Sequence, residues 1–268
     1  MKLNIVFLPA VFAALVNCIS FTDPDERIFG GTIAELDKYT YIAALHPDGV
    51  RSNLTCAGTL IAPQFVLTSG LCLEYTLVDV YVTLGSKFRS NVGIGNYEAI
   101  RAVEAFRHPR YILNPDTLDY AYDVAILKLE TPSTQQPAKL PAVDGSSNRP
   151  GVMATALGWG EMETGENANV LRAVDVQVIT NKQCSRIWST IVDKSFICAG
   201  NGTNKGINVG DWGGPLIVKD VVVGSASLSS NKNDSLHNLY ARVSHALDFI
   251  HDILDGGSTG DVTELLTK

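Results

Sequence analysis

Gly210-Asp211-Trp212-Gly213-Gly214-Pro215-Leu216 is a glycine-rich loop built around one acid and one indole, and it runs directly into the strand-like stretch Pro215 to Val218. Short apolar runs lie on either side of it. Upstream they are Tyr39 to Leu45, Thr55 to Ile61, Phe65 to Ser69, Val78 to Leu84, Ala99 to Phe106 and Val124 to Leu129. Around the loop itself they are Val152 to Leu157, Val170 to Ile179, Ser195 to Ala199, Val221 to Ser227 and Leu239 to Val243. Turn residues such as Pro47-Asp48-Gly49, Gly85-Ser86 and His108-Pro109 punctuate them at the spacing of a β-barrel or sandwich.

Thr131 to Gly151 is rich in Pro, Ser, Thr and Gln and has no periodicity, which predicts a linker between two halves. Helices are expected over Asn181 to Trp188 and over Ala246 to Leu254, the second capped by Ser244. Gly256 to Lys268 is polar and glycine-rich, and residues 257–268 are expected to form a disordered tail.

The chain has 268 residues, 46% of them apolar, enough to build a substantial core. A formal charge of -7 argues against a nucleic-acid partner, which would need clustered Lys and Arg to neutralise phosphates. Residues 1–20 have the form of a secretory signal: Lys2, an apolar run from Leu3 to Val16, then Cys18 and Ser20 as small residues before a cut. No run is long enough for a membrane-spanning helix. Removal of 1–20 leaves 20 cations against 28 acids, a charge of -8, and four cysteines: Cys56, Cys72, Cys184 and Cys198. An even count in a secreted chain predicts two disulfides, with three pairings open on arithmetic alone. Sequons at Asn53, Asn201 and Asn233 are candidate glycosylation sites on surface loops.

Taken in order, several separated motifs carry a resemblance to the chymotrypsin/trypsin family of serine proteases. They are Arg27 before Ile28-Phe29-Gly30-Gly31, Cys56-Ala57-Gly58-Thr59-Leu60-Ile61, Val66-Leu67-Thr68-Ser69-Gly70-Leu71-Cys72, Asp123-Val124-Ala125-Ile126-Leu127-Lys128-Leu129 and Gly158-Trp159-Gly160. Cys198-Ala199-Gly200, the loop at 210–216 and Tyr240-Ala241-Arg242-Val243-Ser244 complete the series. The resemblance implies an all-β fold: two six-stranded antiparallel barrels, about 28–135 and 148–256 within a domain at 28–256, and a C-terminal helix. Residues 21–27 then form a short propeptide-like segment.

In that family a Ser attacks the carbonyl, a His takes its proton and an Asp orients the His. By resemblance Asp123 is the aspartate. Leu71 stands where the family motif T-A-A-H-C has its histidine, and Trp212 stands where the loop G-D-S-G-G-P-L has its serine. An alkyl chain has no lone pair, and an indole N–H only donates. Loss of triad members costs orders of magnitude in turnover, so no hydrolysis by the family mechanism is expected. The other candidates for a base, His46, His108, His237, His245, His251 and Glu74, all lie outside that position. Trp212 reads either as a packing residue or as an aromatic anchor for a partner.

The specificity apparatus departs from the family as well. Gly206 falls where trypsins carry the acidic pocket base, and Ser227-Leu228-Ser229 replaces the usual Ser-Trp-Gly. Asn208, Ala154 and Val218 stand at family cysteine positions, and the losses are paired. The resemblance pairs the remaining cysteines as Cys56–Cys72 and Cys184–Cys198, each bridge worth about 3 kcal/mol in a loop-entropy account. Neither a metal site nor a cofactor is implied. Cleavage after Arg27 would free an amine at Ile28 that pairs, by resemblance, with Asp211.

A secreted homologue with this pattern resembles the glucanase inhibitor proteins that plant-pathogenic oomycetes release into the plant. That resemblance implies a catalytically inactive protein in the host apoplast that binds and inhibits plant endo-β-1,3-glucanases and suppresses host defence. The alternative is a non-inhibitory secreted binding protein, an adhesin or a regulator of active proteases.

Overall fold

The computed structural model describes residues 30–75, 77–89, 97–114, 119–162, 164–188, 192–200, 205–232 and 235–264. Strands β1 (Ile42–His46), β2 (Cys56–Ala62), β3 (Phe65–Thr68), β4 (Tyr81–Leu84), β5 (Glu98–Arg107) and β6 (Ala125–Leu129) form the first sheet. It closes antiparallel in the order β1-β2-β3-β6-β5-β4. Strands β7 (Met153–Gly158), β8 (Arg172–Ile179), β9 (Phe196–Ala199), β10 (Pro215–Val218), β11 (Val221–Lys232) and β12 (Ser235–Arg242) form the second. Its order, β7-β8-β9-β12-β11-β10, repeats the first ring strand for strand. The two-barrel architecture expected from the sequence is therefore present, each ring closing on itself.

Period-two patterning explains the strands. In β8, Val174, Val176 and Val178 are buried while Asp175 is exposed between them. The whole of β1 is buried, as its apolar run requires. Helix α1 (Asn181–Trp188) follows β8 after a single residue, Thr180, and α2 (Leu247–Leu254) buries Leu247, Phe249, Ile250 and Ile253. Those residues join a cluster that takes in the first barrel and reaches Leu157, Trp159 and Ile217 of the second.

Two expectations need correction. Ser244 does not cap α2: it lies in a 3-10 turn, Val243–His245, and the helix starts one turn later with Ala246 at its cap. The tail is not wholly disordered, because Asp261–Glu264 pairs antiparallel with Glu104–Arg107 of β5. β4 pairs only Glu98–Arg101, leaving the rest of β5 open on that side. Asp252 supplies the return: its Oδ2 accepts from Thr259 N at 3.1 Å and its carbonyl accepts from Gly257 N at 2.8 Å. A short hairpin, Ile112–Asn114 with Asp119–Ala121, is a further addition between β5 and β6.

Candidate functional site

The loop at 208–214 is fixed from its acid outward. Asp211 is fully buried; its Oδ1 accepts from Gly160 N at 2.7 Å and its Oδ2 from Asn208 N at 2.9 Å. A Cβ at Gly160 would fall 2.6 Å from this carboxylate, so glycine is what lets the two loops meet. Burial pushes the Asp211 carboxyl up to about 7, against the opposing pull of those two amides.

Backbone bonds then stitch the loop to both barrels. Ala57 N of β2 donates to Trp212 O at 2.7 Å, while Gly213 N donates to Ala226 O of β11 at 2.7 Å. Gly213 has φ +79, and a Cβ there would overlap the Ala57 carbonyl oxygen and Thr68 Oγ1. Trp212 is thereby held between the rings. Its indole is half-buried against the first barrel's core, with the Tyr75 ring 6.5 Å away at a 39° tilt.

Leu71 sits in a 3-10 turn, Gly70–Glu74, that Ser69 caps. The Cys56–Cys72 disulfide, with Cα atoms 6.1 Å apart, anchors that turn to β2. Leu71 N donates to Asp123 Oδ1 at 2.8 Å. Asp123 is itself buried and accepts from the hydroxyls of Ser69, at 2.7 Å, and Ser227, at 2.5 Å. Burial raises its pKa, and the Ser227, Ser69 and backbone bonds oppose that rise. The carboxylate is thus saturated with donors although no imidazole adjoins it at Leu71. An alanine side chain at Gly70 would stand 2.8 Å from the Tyr111 ring, so this glycine lets Tyr111 close over the turn.

On the other side of the loop, Asn238 of β12 is fully buried and grips Ile207, next to Gly206. Its Oδ1 accepts from Ile207 N at 3.2 Å and its Nδ2 donates to Ile207 O at 3.1 Å. Asn208 carries no sulfur to brace this segment; its side chain reaches Glu161 Oε2 at 3.5 Å. Ala154 and Val218, the positions that the resemblance assigns to a family bridge, belong to one apolar cluster in the second barrel. Cys184–Cys198 is formed, with Cα atoms 6.2 Å apart, and ties α1 to β9.

The remaining candidates lie elsewhere. His46 contacts Ser52 O and Thr83 Oγ1, and His108 stacks on Tyr122 at 4.5 Å. His237 is buried on β12, whereas His245 and His251 are exposed near or on α2. Glu74 pairs with Arg107 at 2.5 Å. Asn53 is exposed on the loop before β2. Arg27, Ile28, Asn201 and Asn233, and the segments 1–20 and 21–27, lie outside the described residues. Among the described residues no group of three or more His, Cys, Asp or Glu is placed to hold a metal ion, and no helix is long and apolar enough to cross a membrane.

Ser69 and Asn238 were not singled out from the sequence for their contacts here. Both stood inside or beside quoted motifs, Ser69 where T-A-A-H-C has its first alanine and Asn238 two residues before Tyr240. An added polar group inside a buried motif was the available signal.

The chain belongs to the trypsin family: that family's sequence profile, described as Trypsin, matches residues 28–250. Within it the chain is 35% identical to glucanase inhibitor protein 4 of Phytophthora infestans, over 76% of this chain and 80% of that protein. It is 33% identical to glucanase inhibitor protein 3 of the same organism, over 85% and 89% of the two chains. Glucanase inhibitor protein 2 of Phytophthora sojae is 30% identical, over 95% and 89%.

Proposed function

We propose that this chain is a secreted, catalytically silent trypsin-family protein that binds and inhibits plant endo-β-1,3-glucanases in the host apoplast. The observation that carries the silence is the wiring of Asp123. Its carboxylate is committed to Ser69, Ser227 and the Leu71 amide, while an alkyl chain and an indole occupy the places of base and nucleophile. Neither group takes a proton from an attacking hydroxyl. Turnover is then limited to whatever binding and backbone donors supply. The names of the relatives support inhibition of a glucanase as the activity the scaffold serves.

The half-buried Trp212 and the neighbouring Tyr75, 37% exposed, offer an aromatic pair of the kind that anchors protein interfaces. A charge of -7 on the full chain favours fast association with a basic target, weakening as salt rises. Signal-like residues 1–20, an exposed sequon at Asn53 and the two disulfides support export.

The test is inhibition and co-purification of the secreted full-length chain with purified plant endo-β-1,3-glucanases at micromolar concentration. Saturable inhibition is expected. Glucanases that remain fully active and are not retained would remove this reading, and capture of an active protease instead would favour the regulator alternative.

A further inference from the structure

We propose that an open cleft between the 144–149 turn and the start of the C-terminal helix is an oxyanion-binding site, taking a sulfate, phosphate or carboxylate group carried on a small organic ligand. The cleft has a volume of about 190 Å³; Asp144, Asn148, Arg149, Arg242, Ser244 and His245 form its polar lining, beside Val143 and Pro150.

Its back wall is built from within. Asn148 and Ser244 are both more than nine-tenths buried, and Asn148 Nδ2 donates to Ser244 Oγ at 3.4 Å, a long bond that leaves both groups capable of a better one. Arg242 is rigid at the side: its Nε donates to the carbonyls of Lys194 and Phe196 at 3.0 Å each, and its Nη2 to Phe196 O at 2.7 Å and Asn181 Oδ1 at 3.2 Å. Neutral acceptors satisfy those donors without cancelling the guanidinium charge. Arg149 is exposed at the rim, and guanidinium groups are suited to planar or tetrahedral oxyanions.

The charge around the cleft points the same way. The imidazole of His245 is held below its ordinary pKa by partial burial, then by Arg242 and Lys194, with Arg110 adding to them and Asp193 opposing. Two of these cations, Arg149 and Arg242, line the cleft itself, on a chain whose net charge is -7, while Lys194 and Arg110 act on His245 from outside it, Arg110 lying over the Tyr122 ring. Two acids face them. Asp193 is engaged by Ser195 N at 2.6 Å, and Asp144, on the rim, accepts from Ser146 N at 2.9 Å. Concentrating cations against the global charge costs self-repulsion, and a bound anion would relieve it.

The experiment follows the His245 ring resonance of the full-length protein through a pH titration, with sodium sulfate, inorganic phosphate or glucuronate against sodium chloride at matched ionic strength. A bound oxyanion stabilises the imidazolium, so the midpoint should rise by about one unit in sulfate, and sulfate should bind about tenfold tighter at the acid end of the titration than at the alkaline end. Arg149→Ala, at an exposed residue, should weaken sulfate binding at least tenfold, and Asp144→Asn should strengthen it. A response to glucuronate as well as sulfate assigns carboxylates to the ligand class, and a response to sulfate and phosphate alone assigns tetrahedral esters. An equal midpoint shift in chloride, or sulfate binding unchanged in Arg149→Ala, would overturn the proposal.

Discussion

Ser69 Oγ lies 2.7 Å from both carboxylate oxygens of Asp123, so one hydroxyl bridges the pair and would compete there with any added donor. Ser69 also accepts from Leu71 N at 3.2 Å, so the same side chain caps the turn and closes the carboxylate. In the silent site proposed above, a rewired network acts together with the two replaced side chains. Restoring the outer members, Leu71→His with Trp212→Ser, is expected to give no measurable turnover of fluorogenic peptides. The new histidine would meet an aspartate already bonded to Ser69 and Ser227, and Asn238 would still hold Ile207 beside Gly206. Turnover that appears in the double variant and disappears on adding Asp123→Asn would show that the rewiring is no barrier.

Ser69→Ala tests the same bond from the stability side. It leaves a buried carboxylate short of one donor, which costs about 1–3 kcal/mol. The loss should appear as a lower urea midpoint at unchanged m-value, and a midpoint equal to that of the parent would mean the bond contributes nothing.

Much of this was legible in the sequence because the signals were local. Closed antiparallel rings need short apolar runs between turns, and each of the twelve ring strands overlaps such a run, although β11 continues to Lys232 and β12 starts back at Ser235, both in polar sequence. The tail strand was not legible: Asp261–Glu264 is polar, and its pairing depends on how far β4 extends along β5, a property of the assembled sheet. At the site, Leu71 and Trp212 announce themselves by chemical type. Ser69 and Asn238 do not, since a serine or an asparagine gains meaning only from the buried group it faces, here Asp123 and the Ile207 backbone.

Asn238→Leu removes a side chain that satisfies both the N–H and the C=O of Ile207. Both groups are buried on one segment, so the variant should lose about 2–4 kcal/mol, more than an exposed asparagine would. Amide exchange at Ile207 should accelerate by a larger factor than exchange in the first barrel. Uniform acceleration across the chain would mean that Asn238 acts only on global stability.

Gly213 and Gly49 have nearly the same φ, +79 and +77, and differ in what surrounds them. A methyl group at Gly213 would strike the Ala57 carbonyl and Thr68, whereas nothing lies within 4 Å at Gly49. Gly49→Ala should therefore cost only the conformational strain, about 1–2 kcal/mol. Gly213→Ala should cost at least 3 kcal/mol more than that or fail to fold, since the collision parts the loop from β2. Equal thermal midpoints for the two variants would show that the loop yields freely.

Asp211 and His108 should impose opposite pH dependences. The Asp211 carboxyl, raised to about 7, binds its proton more tightly in the folded chain than in the unfolded one, so its contribution to stability declines between about pH 4 and pH 7. His108 is packed between Tyr122 and Phe249 and lowered to about 4 by burial and by Arg110, so its contribution rises between about pH 4 and pH 6.5. Each slope is about 1.4 kcal/mol per pH unit inside its window. Urea unfolding of the chain uncut at Arg27 should then show the stability difference, parent minus Asp211→Asn, shrinking with pH, and the difference, parent minus His108→Gln, growing. Cleavage after Arg27 should reverse the first slope if the freed Ile28 amine reaches Asp211, because a cation beside the carboxylate lowers its pKa below the unfolded value. Two differences that run in the same direction in the uncut protein would mean that one of these groups is not buried as the packing around Gly160 and Phe249 requires.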